Sequence, residues 1–166
     1  YVPDDVNLNQ HWLVEEHHLN PSFVNLINDL DLEIGQCSYL FYTPPEGHLG
    51  IHIDGDHLHN KCMLNFVWGS DSHVMSWYSI DPNFKLVPRV FTNNEFYISV
   101  PVDVANKIND AIIKYPSLTR VGIPHSVENY GLTGRWCLSV DIREHNDTMP
   151  GVDFEKAQIY FKDYLI

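Results

Sequence analysis

Residues 51–55 (IHIDG) include two side chains that could bind a metal ion, His52 and Asp54. Successive side chains of a β-strand point to opposite faces, so on a strand these two residues emerge on the same side. A second histidine from elsewhere in the chain would complete the two-histidine, one-carboxylate facial arrangement that holds ferrous iron and leaves other coordination positions open. His125, in the segment IPHSVEN, is the predicted third ligand.

Length and composition predict one domain and exclude some partners. The chain has 166 residues, of which 44% are hydrophobic, enough to build a real core. Ten Lys and Arg against 22 Asp and Glu give 10 − 22 = −12. This charge repels polyanions at long range, and without a local basic patch nucleic acid is not expected as a partner. No apolar run approaches the roughly 20 residues of a membrane span, so no membrane partner is expected.

The cysteines indicate a compartment. Cys37, Cys62 and Cys137 are odd in number, widely spaced and set in apolar surroundings. This pattern is typical of free thiols in a reducing environment, which predicts a cytoplasmic protein.

Short strands dominate the sequence from residue 36 onward. Segments rich in β-branched and aromatic residues alternate with turn residues such as 69–71 and 81–83. The predicted strands are 37–43, 49–54, 61–68, 74–80, 86–91, 96–100, 118–123, 125–129 and 135–143. Regularly spaced short strands indicate a sandwich or barrel.

Three helices are predicted beside these strands. Asn20-Pro21-Ser22 is a helix start, and the apolar residues after it, Phe23, Leu26, Ile27 and Leu30, have helical spacing. A second helix would be capped by Asp103 and closed by Pro116, with the apolar stripe Val104, Ile108, Ala111, Ile112 and Tyr115. The third covers 153–165, with Phe154, Ala157, Phe161 and Tyr164 on one face.

The last predicted strand separates an apolar face from a mixed one. Alternation places Trp136, Leu138, Val140 and Ile142 on the face that suits packing under helices, and Arg135, Cys137 and Ser139 on the face that suits a pocket. In 61–68, Asn65 shares its face with Met63 and Val67. A buried amide without hydrogen bonds costs about 1–3 kcal/mol, so Asn65 is either a structural tie or a ligand contact.

The order His52-x-Asp54, His125 and an arginine ten positions later, Arg135, resembles the pattern of the 2-oxoglutarate- and Fe(II)-dependent oxygenases. Segments 41–45, 51–55, 64–66, 124–129 and 135–139 are similar to small bacterial and phage members. The resemblance covers roughly residues 36–143. It implies a mainly β fold with flanking helices, a double-stranded β-helix (jelly roll, cupin-like). The single domain would span 1–166, with its core at about 36–143 and its terminal helices packed on the major sheet.

The resemblance also implies a site and a reaction. His52, Asp54 and His125 would bind Fe(II), and Arg135 would pair with the far carboxylate of the cosubstrate 2-oxoglutarate through charge-assisted hydrogen bonds. The further predicted pocket contacts are Asn65, Tyr42 and Ser139. The implied enzyme is a dioxygenase that uses dioxygen to hydroxylate a small molecule or a peptide side chain, with formation of succinate and CO2.

Several alternatives stay open at this point. Cys137 stands where some relatives have serine or threonine, and Ser139 on the same face could replace that contact. Arg120 and Arg143 are rival cations without the matching interval from His125.

The loop after Asp54 and the function itself also have alternative interpretations. Asp56, His57 and His59 could tune metal affinity, bind a second ion or have no role. An isolated His-x-Asp occurs by chance in many chains. The alternative function is a non-catalytic metal- or ligand-binding barrel of the cupin type.

Overall fold

The computed structural model describes residues 9–90, 96–147 and 151–164, and these residues are mainly β. The strands are β1 (Gln10–Leu13), β2 (Leu32–Ile34), β3 (Tyr39–Thr43), β4 (His48–Asp54), β5 (Lys61–Trp68), β6 (His73–Ile80), β7 (Arg89–Val90), β8 (Phe96–Ser99), β9 (Ala105–Ala111), β10 (Ser117–Arg120), β11 (His125–Asn129), β12 (Arg135–Val140), β13 (Ile142–Glu144) and β14 (Val152–Asp153). The helices are α1 (Pro21–Asp29) and α2 (Phe154–Tyr160). None of the described helices has the length and apolar character of a membrane span.

Two six-stranded antiparallel sheets contain most of these strands. The major sheet has the order β1-β3-β12-β5-β10, with β14 paired to β5, and the minor sheet has the order β7-β8-β4-β11-β6-β9. Val67 of the major sheet packs against the buried cluster of Met75, Ile113 and Val127. The inner faces of the two sheets therefore meet, as in a sandwich.

Both terminal helices were predicted, and both cover the outer face of the major sheet. The Asn20 side chain caps α1 by accepting from the Ser22 N–H, and Asp153 caps α2 by accepting from the Lys156 N–H. In the buried cluster under them, Ile27 of α1 and Ala157 of α2 pack with Leu64 of β5 and Val140 of β12. Most of the apolar residues whose spacing predicted the helices thus pack on this face of the sheet.

The helix predicted between Asp103 and Pro116 is wrong. Residues 105–111 form β9, an edge strand antiparallel to β6, and Asp103 lies in a short 3-10 turn before it. Its apolar spacing fits a helix, but four of the seven residues of ANKINDA (two Asn, one Asp and one Ile) are weak helix formers. Pairing with β6 from Met75 to Ile80 decides the structure instead, because tertiary contacts override a weak local preference.

The other predicted strands differ from the structure mainly at their ends. The prediction for 135–143 is divided at Asp141 into β12 and β13, and β7 is much shorter than 86–91. Phe91 and Leu165, which belong to predicted elements, lie outside the described residues.

Candidate metal centre

The structure brings His52, Asp54 and His125 together on the inner face of the minor sheet. Strands β4 and β11 pair in a register that sets His52 opposite His125, and the two ring centroids are 4.2 Å apart. Asp54 Oδ1 lies 3.4 Å from His52 Nε2. One ligand atom from each of the three residues lies within 4.8 Å of the others, so the group could hold one metal ion.

The alternating sequence of β4 fixes which side chains face this interior. Ile51 and Ile53 are buried in a cluster with Ile98 and Val100, on the opposite face from the ligands. Because these isoleucines must face that cluster, His52 and Asp54 must face the other way.

Each imidazole is held in the tautomer that a metal ligand needs. His52 Nδ1 lies 2.7 Å from the Gly50 carbonyl oxygen, and His125 Nδ1 lies 3.0 Å from the Ile123 carbonyl oxygen. A carbonyl only accepts, so Nδ1 of each neutral ring carries the proton and Nε2 keeps its lone pair. Two such nitrogens and one carboxylate are a donor set that fits a divalent transition metal.

Burial keeps His125 neutral. The residue is 3% exposed, and burial, followed by the neighbouring His52, lowers its pKa to about 4 against the attraction of Asp54. Its Nε2 lone pair is therefore available at neutral pH. The Asp54 side chain is 46% exposed, so the group opens to solvent on the carboxylate side.

Arg135 is buried on the inner face of the major sheet, and no described residue gives it an acidic partner. It is 3% exposed, and none of the carboxylates in the described part of the chain forms a salt bridge with it. Burial lowers the pKa of Arg135, while the charge of the Cys137 side chain and its hydrogen bond to the guanidinium oppose that shift. Arg135 Nε has no hydrogen-bond partner among the described residues. A buried cation without a counter-ion is costly, which makes this position a candidate for binding an anion.

Arg135 and the metal group belong to one interior. Cys137 is opposite Val67 on β5, and Val67 packs against the buried cluster that contains Val127 of the minor sheet, two residues after His125 on β11. Asn129, at the other end of β11 from His125, donates from its side-chain amide to the carbonyl of Thr43, which is opposite Arg135 in the major sheet. Arg135 therefore begins β12 at the opposite end of the interior from His125.

Asn65 and Ser139 also line the inner face of the major sheet. They are opposite each other on β5 and β12, both are buried, and Asn65 Oδ1 has no hydrogen-bond partner in the described chain. Ser139 is four residues along β12 from Arg135, roughly 13 Å at about 3.3 Å per residue. Asn65 and Ser139 therefore lie farther along the inner face of the major sheet than the start of β12, where Arg135 is.

The prediction of Tyr42 as a pocket contact is wrong. Tyr42 lies on the outer face of β3, where its ring contacts Trp136 at 4.7 Å between centroids. The inward tyrosine of this strand is Tyr39, which is buried and opposite Ser139. Sequence alone does not separate the two, because both alternating faces of YLFYT contain aromatic residues.

The rival cations Arg120 and Arg143 have structural partners. Arg120 packs over the Phe154 ring at 4.2 Å and lies 3.4 Å from a Glu155 carboxylate oxygen. Arg143 forms a salt bridge with the buried Asp141. Both therefore serve the packing of the outer elements rather than the interior.

The loop after Asp54 adds no second ion site. Asp56 and His57 pair with each other at the surface, and with His59 they belong to no group of three potential ligands in the described chain. His59 is half-buried, and burial lowers its pKa despite a hydrogen bond to the Asp54 backbone. Sequence reasoning treated these loop residues alike, whereas the structure distinguishes His59.

Sequence comparison identifies no relative, since the chain matches no known family model and no curated protein. Function is therefore inferred from the geometry of the interior and from the pattern of residues that forms it.

Proposed function

We propose that the protein is a 2-oxoglutarate- and Fe(II)-dependent dioxygenase that hydroxylates a small molecule or a peptide side chain. One observation carries this proposal: the same interior contains a three-ligand metal group and a buried guanidinium that lacks a carboxylate partner in the described chain. A dicarboxylate that chelates a metal at one end would satisfy the guanidinium at the other.

The strand order supports a double-stranded β-helix for this domain. The central strands of the two sheets follow the orders β3-β12-β5-β10 and β4-β11-β6-β9. Consecutive strands from β3 to β6 alternate between the sheets, and so do those from β9 to β12. Each sheet thus interleaves early and late strands, which is the winding of a jelly roll.

Different residues would have different roles in this reaction. His52 and His125 would hold Fe(II) through neutral nitrogens, and Asp54 would hold it with its negative charge. When bound, iron with its keto acid supplies the oxidising chemistry, by which substrate, dioxygen and 2-oxoglutarate become hydroxylated product, succinate and CO2. Arg135, which is buried, would bind the far carboxylate through paired hydrogen bonds, and its burial strengthens such a contact.

Turnover of the cosubstrate tests the proposal. The purified protein with Fe(II), 2-oxoglutarate, ascorbate and air is expected to form succinate, even without substrate, and the product can be quantified by NMR. His52→Ala is expected to abolish both metal binding and succinate. Arg135→Lys keeps the charge but loses the paired geometry, so we expect a rise in KM for 2-oxoglutarate of at least about tenfold.

The control is Arg89→Gln, which removes an exposed arginine of β7 and should leave KM unchanged. Absence of iron binding together with absence of succinate would reject the dioxygenase. Metal binding without affinity for 2-oxoglutarate, unaltered by Arg135→Ala, would instead favour a non-catalytic metal-binding barrel.

A further inference from the structure

We propose that His59, which is not a metal ligand, positions the metal centre by holding the backbone of Asp54 against the segment that leads to His125. This inference rests on the metal site of the proposed function, but it needs neither 2-oxoglutarate nor turnover. His59 would thus be a positioning residue for the site.

Both ring nitrogens of His59 are engaged by the backbone. Its Nε2 lies 2.7 Å from the carbonyl oxygen of Asp54, and its Nδ1 lies 3.2 Å from the backbone nitrogen of Lys61. A carbonyl accepts and an N–H donates, so Nε2 carries the proton and Nδ1 accepts. This neutral tautomer leaves no lone pair for a metal, although the ring is beside a ligand.

The backbone of His59 reaches the other ligand-bearing segment. Its N–H donates to the Gly122 carbonyl at 3.0 Å, and the Asp54 N–H donates to the Val121 carbonyl at 3.0 Å. Gly122 precedes Ile123, whose carbonyl accepts from the ring of His125. One residue therefore connects the backbone of Asp54 with the backbone that orients His125.

The ring fills a space that two glycines leave for it. A Cβ at Gly122 would lie 2.0 Å from His59 Nδ1, and a Cβ at Gly55 would lie 2.9 Å from His59 Nε2. Gly55 also has φ +122°, a conformation that other residues rarely adopt. The loop is therefore shaped around this one imidazole, whereas the exposed ring of His57 has no such surroundings.

Positioning matters most for Asp54, because its carboxylate is the least buried of the three ligands. A half-exposed side chain depends on its backbone for its place in the group. Groups that orient metal ligands change metal affinity by typically 10–100-fold when they are removed.

Binding of Co(II) to the full chain tests this role, with two amide substitutions as a matched pair. Glutamine at position 59 can bring an amide N–H near the place of Nε2, whereas the shorter asparagine reaches only the place of Nδ1. We expect H59N to weaken Co(II) binding about 10–100-fold and to alter the visible Co(II) spectrum. We expect H59Q to retain affinity and spectrum close to those of the wild type.

Two further variants probe the surroundings of the His59 ring. H57L alters the neighbouring exposed histidine and should leave Co(II) affinity unchanged. G122A removes no hydrogen-bonding group, but its Cβ would lie 2.0 Å from the His59 ring and 2.4 Å from the His59 carbonyl oxygen, so it should displace His59 and weaken Co(II) binding at least as much as H59N does. Wild-type affinity and spectrum in H59N, equal losses in H59N and H57L, or an unchanged G122A would each overturn the inference.

The two proposals fail in different ways. A wild-type protein that binds Co(II) but never forms succinate rejects the dioxygenase and leaves the role of His59 to be decided by the variants. A wild-type protein that does not bind Co(II) rejects both. Thermal melting of each variant shows whether it is folded; if H59N is not, an altered Co(II) spectrum in H59Q overturns the inference.

Discussion

Two arginines on neighbouring strands of the chain have opposite surroundings. Arg143 on β13 lies 2.8 Å through its Nε from a carboxylate oxygen of Asp141, which is fully buried. Arg135 on β12 is also buried, but it has no carboxylate partner among the described residues and its Nε makes no hydrogen bond there. The first arginine is part of a completed network and the second is not.

The network around Asp141 joins distant parts of the chain. Its carboxylate accepts from the backbone N–H groups of Cys37 and Gly151, at 3.1 and 2.7 Å, and its own N–H donates to Ser38 Oγ. Buried polar groups are normally satisfied in this way within a protein. Arg135 Nε, which has no hydrogen-bond partner among the described residues, is therefore a candidate contact for a ligand, whereas the satisfied groups around Asp141 form a structural tie.

The largest expected effect comes from breaking the completed network. Asp141→Ala removes the acceptor for three donors and leaves the Arg143 charge beside a cavity. We expect the free energy of unfolding to fall by about 3–5 kcal/mol, measured by urea denaturation. A loss below about 1 kcal/mol would show that Asp141 is not the tie that its contacts suggest.

Substitution of Arg135 is expected to raise the free energy of unfolding, whereas substitution of Asp141 lowers it. Arg135→Met removes a buried charge that has no described counter-ion and keeps most of the side-chain volume, so we expect the protein without metal or cosubstrate to gain about 1–4 kcal/mol in stability. The same variant should lose its affinity for 2-oxoglutarate. Urea denaturation and calorimetric titration of the cosubstrate measure the two effects.

Arg143→Met is the matched control for this substitution. It leaves the buried Asp141 carboxylate without its cation, so it should destabilise the protein and leave cosubstrate affinity unchanged. If both variants were equally destabilised, Arg135 would have a structural partner and the contrast between the two arginines would disappear.

Alternation along single strands correctly predicted which of the candidate side chains face the interior. Side chains alternate between the two faces of a strand, so a short stretch of sequence is enough to place His52 and Asp54 on one face of β4. The same alternation places Arg135 and Ser139 on one face of β12. Tyr42 was assigned to the wrong face because β3 has aromatic residues on both faces, and its register with β12 depends on residues far along the chain.

Other features depend on contacts that no local pattern contains. The segment 105–111 has helical apolar spacing, and only the long edge of β6 makes it a strand. Likewise, nothing in the spacing of Asp56, His57 and His59 distinguishes them, because the role of His59 depends on Gly122, far away in sequence. The three candidate ligands could be selected from the sequence because their residue types bind metals, whereas the residues that surround them could not.

The smallest expected effect concerns Cys137, which lies on the inner face of β12 between Arg135 and Ser139. Its thiol accepts a hydrogen bond from Arg135 but is a weak donor. Cys137→Ser supplies a stronger donor beside the guanidinium, and if the bound cosubstrate extends past it, KM for 2-oxoglutarate should fall by up to about fivefold, the equivalent of roughly 1 kcal/mol. Steady-state succinate formation measures this change. An unchanged or higher KM would mean that the hydroxyl meets only Arg135, and the ligand would then contact the guanidinium without reaching position 137.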